Sequence, residues 1–292
     1  MKNILLLIVL AKSCHAFDLP KSSCKANLTI DQNHYNVTKT YDVGDAYPTD
    51  AHYDSNGNLF YVLYGRNFNG YYFDIKVIKP NTTESEKIPG LPEGKSYSIA
   101  VDKNATRVYF GTSKGIFIYD DEAHEAKLIS DPNLKLNNLF VDRDGNKYIT
   151  DSPHGVEELY LLADNKKIRF RSFDSLNEMA VNDKNYFYFI REEKLYVLRS
   201  NKSSISYIGN VTYQGVAQIS FSEDLVFIAS ETLSYIHEND TGPLKMVKNV
   251  PGKVTAIAFD NSGNFILGTR GYIFKYEPQD GCQLVSNKKM NE

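Results

Sequence analysis

HYDSNGNLFYVLYG, residues 52–65, reads as the end of one apolar run, a turn on Asp54, Asn56 and Gly57, and the start of a second run. Asp and Asn hydrogen-bond their own backbone, and Asn and Gly tolerate positive φ, so the phrase is a hairpin signal. It recurs as AVDKNATRVYFGTS (100–113), FVDRDGNKYITDS (140–152), AVNDKNYFYFIR (180–191), SFSEDLVFIAS (220–230) and AFDNSGNFILGTR (258–270). The anchors Asp54, Asp102, Asp142, Asn182, Ser222 and Asp260 are separated by 48, 40, 40, 40 and 38 residues. Six units of near-equal length point to a repeat architecture.

Within the second unit the runs Tyr97–Val101, Arg107–Gly111, Gly115–Tyr119 and Lys127–Ser130 read as four short strands. No long segment carries apolar residues at spacings of three and four, so helices are not expected. Four antiparallel strands per unit of this length describe a β-propeller blade, and six units predict an all-β, six-bladed propeller. The early segment LTIDQNHYNVTKTYDV (28–43) reads as an outer strand that completes the last blade. The 21 Tyr and 16 Phe suit strands, and the absence of Trp does not weaken the reading.

The first residues read as a targeting segment. A short basic start, the apolar run 4–11 and the small residues before Ala16 predict a signal peptide over 1–16, leaving 17–292 as one propeller domain. The mature chain then keeps Cys24 and Cys282 of its three cysteines, and an even count in an oxidising compartment predicts a disulfide between the two ends. A loop of that length would contribute on the order of 4–5 kcal/mol in the chain-entropy picture. Seven Asn-x-Ser/Thr acceptors, Asn27, Asn36, Asn81, Asn104, Asn201, Asn210 and Asn239, agree with a secreted, extracellular glycoprotein. A net charge of −3 argues against nucleic acid or an anionic membrane as partner.

Motifs for bond chemistry fail on context. Gly111-Thr112-Ser113-Lys114-Gly115 matches a hydrolase nucleophile elbow, but it joins two β-runs where that motif needs a strand and a helix. Asp142-Arg143-Asp144-Gly145 hints at a calcium loop whose twelfth position is Pro153 rather than Glu. His34, His52, His124, His154 and His237 fall in different units without paired spacing, so no metal ligand set is assigned. A propeller offers the mouth of its central channel instead. Counting back four and five residues from each anchor gives Thr49 and Asp50, Tyr97 and Ser98, Asn137 and Asn138, Asn177 and Glu178, Ala217 and Gln218, and Thr255 and Ala256. These groups suit a polar, planar ligand or one calcium ion; equally, they can bond one another and water.

The six-fold phrase pattern resembles the senescence-marker/gluconolactonase class of six-bladed propellers. That resemblance implies a divalent metal held by a Glu, two Asn and an Asp from the inner strands. Asn137 and Asn177 fall at its Asn positions, whereas Thr49 stands at the Glu position and Ala217 at the Asp position. DAYPTDAHYDSNGNLFYVLYG (45–65) and LNNLFVDRDGNKYITD (136–151), with a signal peptide, a cysteine near each end and Tyr-rich strands, look more like the ommochrome-binding proteins of Lepidoptera. This second likeness implies a monomeric insect haemolymph carrier of ommochromes, tryptophan-derived phenoxazinone pigments, without enzymatic activity or a required cofactor. The ligand-binding candidates on that reading are Tyr97, Asn137, Asn138, Asn177, Glu178 and Gln218, with Arg66 or Arg270 as partner for an acidic group. The alternatives are an extracellular calcium-dependent lactonase or esterase, and a propeller that binds other macromolecules and no small ligand.

Overall fold

The structure, a computed structural model, describes residues 26–279 apart from 153–154, 165, 174–175, 200–203, 214 and 216. The expected signal segment, Cys24, Cys282, His154 and Asn201 lie outside the described residues. Within them there are only strands and turns, arranged in six antiparallel sheets.

A hairpin of β1 (Leu28–Ile30) and β2 (Asn33–Asp42) opens the chain. Blade 1 is β3 (Tyr47–Tyr53), β4 (Leu59–Asn67), β5 (Gly70–Ile78) and β6 (Ser85–Lys87). Blade 2 is β7 (Ser96–Asp102), β8 (Arg107–Thr112), β9 (Gly115–Asp120) and β10 (Glu125–Leu128). Blade 3 is β11 (Asn138–Val141), β12 (Lys147–Asp151), β13 (Glu157–Ala163) and β14 (Lys166–Phe173). Blade 4 is β15 (Leu176–Val181), β16 (Phe187–Arg191), β17 (Lys194–Leu198) and β18 (Ile205–Asn210). Blade 5 is β19 (Gln218–Ser222), β20 (Leu225–Ser230), β21 (Thr232–His237) and β22 (Lys245–Met246). Blade 6 is β23 (Ala256–Phe259), β24 (Phe265–Thr269) and β25 (Tyr272–Pro278), completed by β2 and then β1. The segment expected as one outer strand is thus a hairpin, and it makes the last blade five-stranded.

The inner strands β3, β7, β11, β15, β19 and β23 neighbour one another in that order, and β23 returns to β3. Each blade is therefore covered on both faces, which explains its continuous apolar runs. In β4, Leu59, Tyr61 and Leu63 join the cluster shared with blade 6, while Phe60 and Val62 join the one shared with blade 2. In β24 the alternation is the same: Ile266 faces blade 1, and Phe265 and Leu267 face blade 5. Six apolar clusters, one per joint between blades, make up the core.

The repeated phrase is one local structure. In the turns at Asp54, Asp142, Asn182 and Asp260, the anchor's backbone N–H donates to the carbonyl four residues on, and the residue at the third position turns left-handed. Those residues are Gly57, Gly145, Asn185 and Gly263, with φ of 80°, 82°, 58° and 78°. The anchor's side-chain Oδ1 accepts from the backbone of the second and fourth residues, as in Asn56 and Asn58 to Asp54 at 2.9 and 2.8 Å. Ser222 departs from this pattern: it pairs directly with Leu225 across a two-residue turn, which shortens that unit. The matches set aside above are such turns. Ser113 and Lys114 form the tip between β8 and β9, and the Asp142 carboxylate is taken up by Asp144 and Asn146. Replacing the buried Asp142 with Ala strips four donors, the N–H groups of Asp144 and Asn146, the Asn146 amide and the Tyr148 hydroxyl, of their acceptor and should cost about 1–3 kcal/mol. A urea melt of the variant checks this, with an unchanged midpoint as the contrary result.

Candidate functional site: the central channel

The inner strands enclose a channel of about 770 Å³. One edge of each inner strand pairs with the next strand of its blade, while the other edge faces the channel with backbone groups unladdered. Five of the six residues four positions before the anchors line this space: Asp50, Ser98, Asn138, Glu178 and Gln218. The sixth, Ala256, is buried in the joint between blades 6 and 1.

Two of the five are spent on the scaffold. Gln218, only 3% exposed, accepts from Ala51 N at 3.1 Å and Ile257 N at 3.0 Å, and donates to Ala51 O at 2.8 Å. It ties β19 to β23 and β3, so the amide expected to meet a ligand already has backbone partners. Asp50 accepts from Ile99 N of β7 at 2.6 Å, and its Oδ1 lies 2.8 Å from His52 Nε2. Asn137, expected at the channel mouth, is not among the residues that line it. Its amide donates to Ser152 at 3.0 Å and to both Glu157 oxygens at 3.0 and 3.2 Å, on the exposed rim of blade 3. The pairing of β11 with β12 runs without a bulge, so Asn138 takes the channel position and Asn137 the opposite side.

Bulges explain which residues do enter. An extra residue interrupts the pairing of β3 beside Asp50, of β7 at Tyr97 and of β15 at Asn177. A bulge re-aims a side chain, and Tyr97 and Asn177 both line the channel. Asn177 hydrogen-bonds the hydroxyl of Tyr213. Asn138 lies beside Thr150, with Nδ2 to Oγ1 at 3.4 Å. Withdrawal from water and then the charge of Asp50 hold the Glu178 carboxyl well above its usual range, opposed only by the Met179 N–H. Burial and the neighbouring Glu178 likewise raise Tyr213.

Three aromatic residues at the mouth escaped the sequence reading: Tyr64, Phe73 and Tyr213, which join Tyr97 in the lining. Phe73 stacks on Tyr64 at 5.0 Å and meets Tyr97 edge-on at 5.4 Å. The signal for two of them was the 48-residue first interval, because β4 and β5 have nine residues each where β8 and β9 have six. Of the two arginines, Arg270 is held bidentately by Asp45 at 2.7 and 3.1 Å, whereas Arg66 has no carboxylate partner among the described residues. Asn27, Asn81, Asn104, Asn210 and Asn239 are exposed. Asn36 is half-buried and donates to Gln279 at 2.8 Å.

The four-ligand metal of the gluconolactonase class does not fit these residues. Thr49 Oγ1 donates to Val62 O at 3.3 Å, Ala217 offers no donor atom, and Asn137 faces the rim. Among the described residues no group of three or more His, Cys, Asp or Glu is placed to hold a metal ion.

No family profile matches the chain, and no curated protein matches it by sequence. Solved structures do match. A gluconolactonase from Xanthomonas campestris is 13% identical with a TM-score of 0.60, over 86% of this chain and 91% of that one. A putative gluconolactonase is 9% identical with a TM-score of 0.64, over 87% and 94%. A streptogramin B lyase is 11% identical with a TM-score of 0.52, over 84% and 98%.

Two outcomes follow from the channel wall. Gln218→Leu leaves Ala51 and Ile257 without their partner and should cost about 1–3 kcal/mol, read as a lowered denaturation midpoint. Because the Glu178 pKa is raised in the fold, the folded chain binds the extra proton, and stability falls as pH rises above the ordinary value of 4.5. Glu178→Gln should flatten that part of the stability–pH curve; a slope identical to the parent's counts against the assignment. By its architecture the chain is a β-propeller, similar in fold to the gluconolactonases.

Proposed function

We propose that the chain is a secreted carrier that holds a planar aromatic anion of the ommochrome type at one mouth of its channel, reversibly and without bond chemistry. The observation that carries this reading is the aromatic lining of the channel, with Tyr64 and Phe73 of blade 1 packed on Tyr97 of blade 2, and Tyr213 beside Asn177. Aromatic walls with a few polar groups are what a flat, conjugated ligand requires. Asn138, Asn177 and Glu178 supply the polar groups, and burial and the nearby Asp50 raise the Glu178 carboxyl, which favours its hydrogen-bond-donating form.

A second reading is hydrolysis of a lactone or ester, favoured by the likeness in fold to two gluconolactonases. Glu178, its carboxyl raised by burial and by the nearby Asp50, would be its acid. Against it stands the misfit of the metal ligands.

A visible-absorption titration of the chelator-treated protein with xanthommatin separates the two. A saturable shift at about micromolar affinity supports the carrier, and Tyr97→Ala should then weaken binding at least about tenfold while Asn137→Ala leaves it unchanged. No shift, together with turnover of lactones on adding calcium, would replace the carrier with the enzyme.

A further inference from the structure

The hairpin of β4 and β5 is three residues per strand longer than its counterpart in blade 2. Its tip, Asn67-Phe68-Asn69-Gly70, carries a fully exposed Phe68. Strand alternation gives its two faces different characters. Tyr64 and Arg66 of β4 stand directly opposite Phe73 and Tyr71 of β5, so these four side chains share one face. The other face has Gly65 opposite Tyr72, whose ring lies where a β-carbon on Gly65 would stand.

The four-residue face is continuous with the channel. Phe73 and Tyr64 line the mouth, Tyr71 stacks on Tyr64 at 5.6 Å, and the Arg66 guanidinium sits 5.5 Å from the Tyr71 ring centre. Tyr47 extends the row inward on β3, 6.4 Å from Tyr64. Arg270 lies over Tyr47 at 5.8 Å, but Asp45 neutralises it. Arg66 is therefore the cation on this face that no carboxylate neutralises among the described residues, and it is exposed at the outer end of a stacked aromatic row. A guanidinium on an aromatic face keeps its edge N–H groups free for a carboxylate or sulfate.

We infer that this overhanging hairpin is the specificity element of the site: Tyr64, Tyr71 and Phe73 take the flat ring of the ligand, and Arg66 reads its acidic group. The inference rests on the carrier reading and deepens it, because it selects aromatic acids over neutral analogues of the same shape.

The test compares a phenoxazinone carboxylic acid with its carboxamide by fluorescence or absorbance titration. The parent protein should prefer the acid, and Arg66→Gln should lose about tenfold in affinity for the acid while binding the amide as before, so that the preference disappears. Arg66→Lys should keep part of the preference, since it retains charge without the planar fork. Arg66 is exposed, so equal thermal midpoints are expected and confirm that folding is not the cause. An unchanged preference in Arg66→Gln, or an equal loss for both ligands, overturns the role of Arg66 and leaves the carrier standing. A parent protein that binds neither ligand overturns both.

Discussion

The antiparallel pairing of β2 with β25 sets the conditions for the rest of the molecule. It joins Tyr35 through Asp42 to Tyr272 through Pro278 and so makes the first described strands and the last ones a single sheet. With it, blade 6 has a full width of strands to lay against blades 5 and 1. Leu28 and Ile30 of β1 enter the joint with blade 5, and Tyr41 of β2 enters the joint with blade 1. Were the pairing lost, two of the six apolar clusters would open to water, and the neighbouring blades would each lose cover on a face. Burial on both faces is a condition a blade cannot meet alone, so the ring is stable as a whole or hardly at all.

The same geometry produces the channel and dictates what its polar groups must do first. Six unladdered strand edges face one space, and their backbone groups need partners before any ligand is considered. Asp50 and Gln218 meet that need, which is why polarity at an inner-strand position does not by itself denote a binding residue. The same space is also lined by Asn138, Asn177 and Glu178 and by the aromatic side chains Tyr64, Phe73, Tyr97 and Tyr213. The channel is thus unequal around its circumference. Polar staples hold the joints between blades 5, 6 and 1, and the longest hairpin rises from blade 1.

Much of the fold was legible because its determinants are local. An anchor carboxylate or amide, a left-handed residue three places on and apolar runs to either side are enough to mark a hairpin, and the even interval supplies the ring. Even the exception at Ser222 is visible as a shortened unit. The site was legible only in part. Counting back from the anchors reaches Tyr97, Asn138, Asn177 and Glu178, which line the channel, but also Asn137, which does not, and Gln218, whose amide already has backbone partners. The two departures differ in origin. For Asn137, a bulge shifts side-chain direction by a residue, and nothing in the local sequence says that β7 and β15 have one while β11 does not. For Gln218, the amide's partners come from blades 1 and 6, far along the chain. Tyr213 was invisible for another reason. It lies between blades, where no repeat position leads to it.

The closure also has a history in time. A ribosome makes β1 and β2 before every other described strand, and β25, the partner of β2, after all of them. For the whole of synthesis the early hairpin has an edge with no mate, and the sixth blade is begun first and finished last. Contacts so distant along the chain make for slow folding and a prolonged exposure of strand edges. A chain of this design gains its durability late, and passes its most aggregation-prone interval before it is complete.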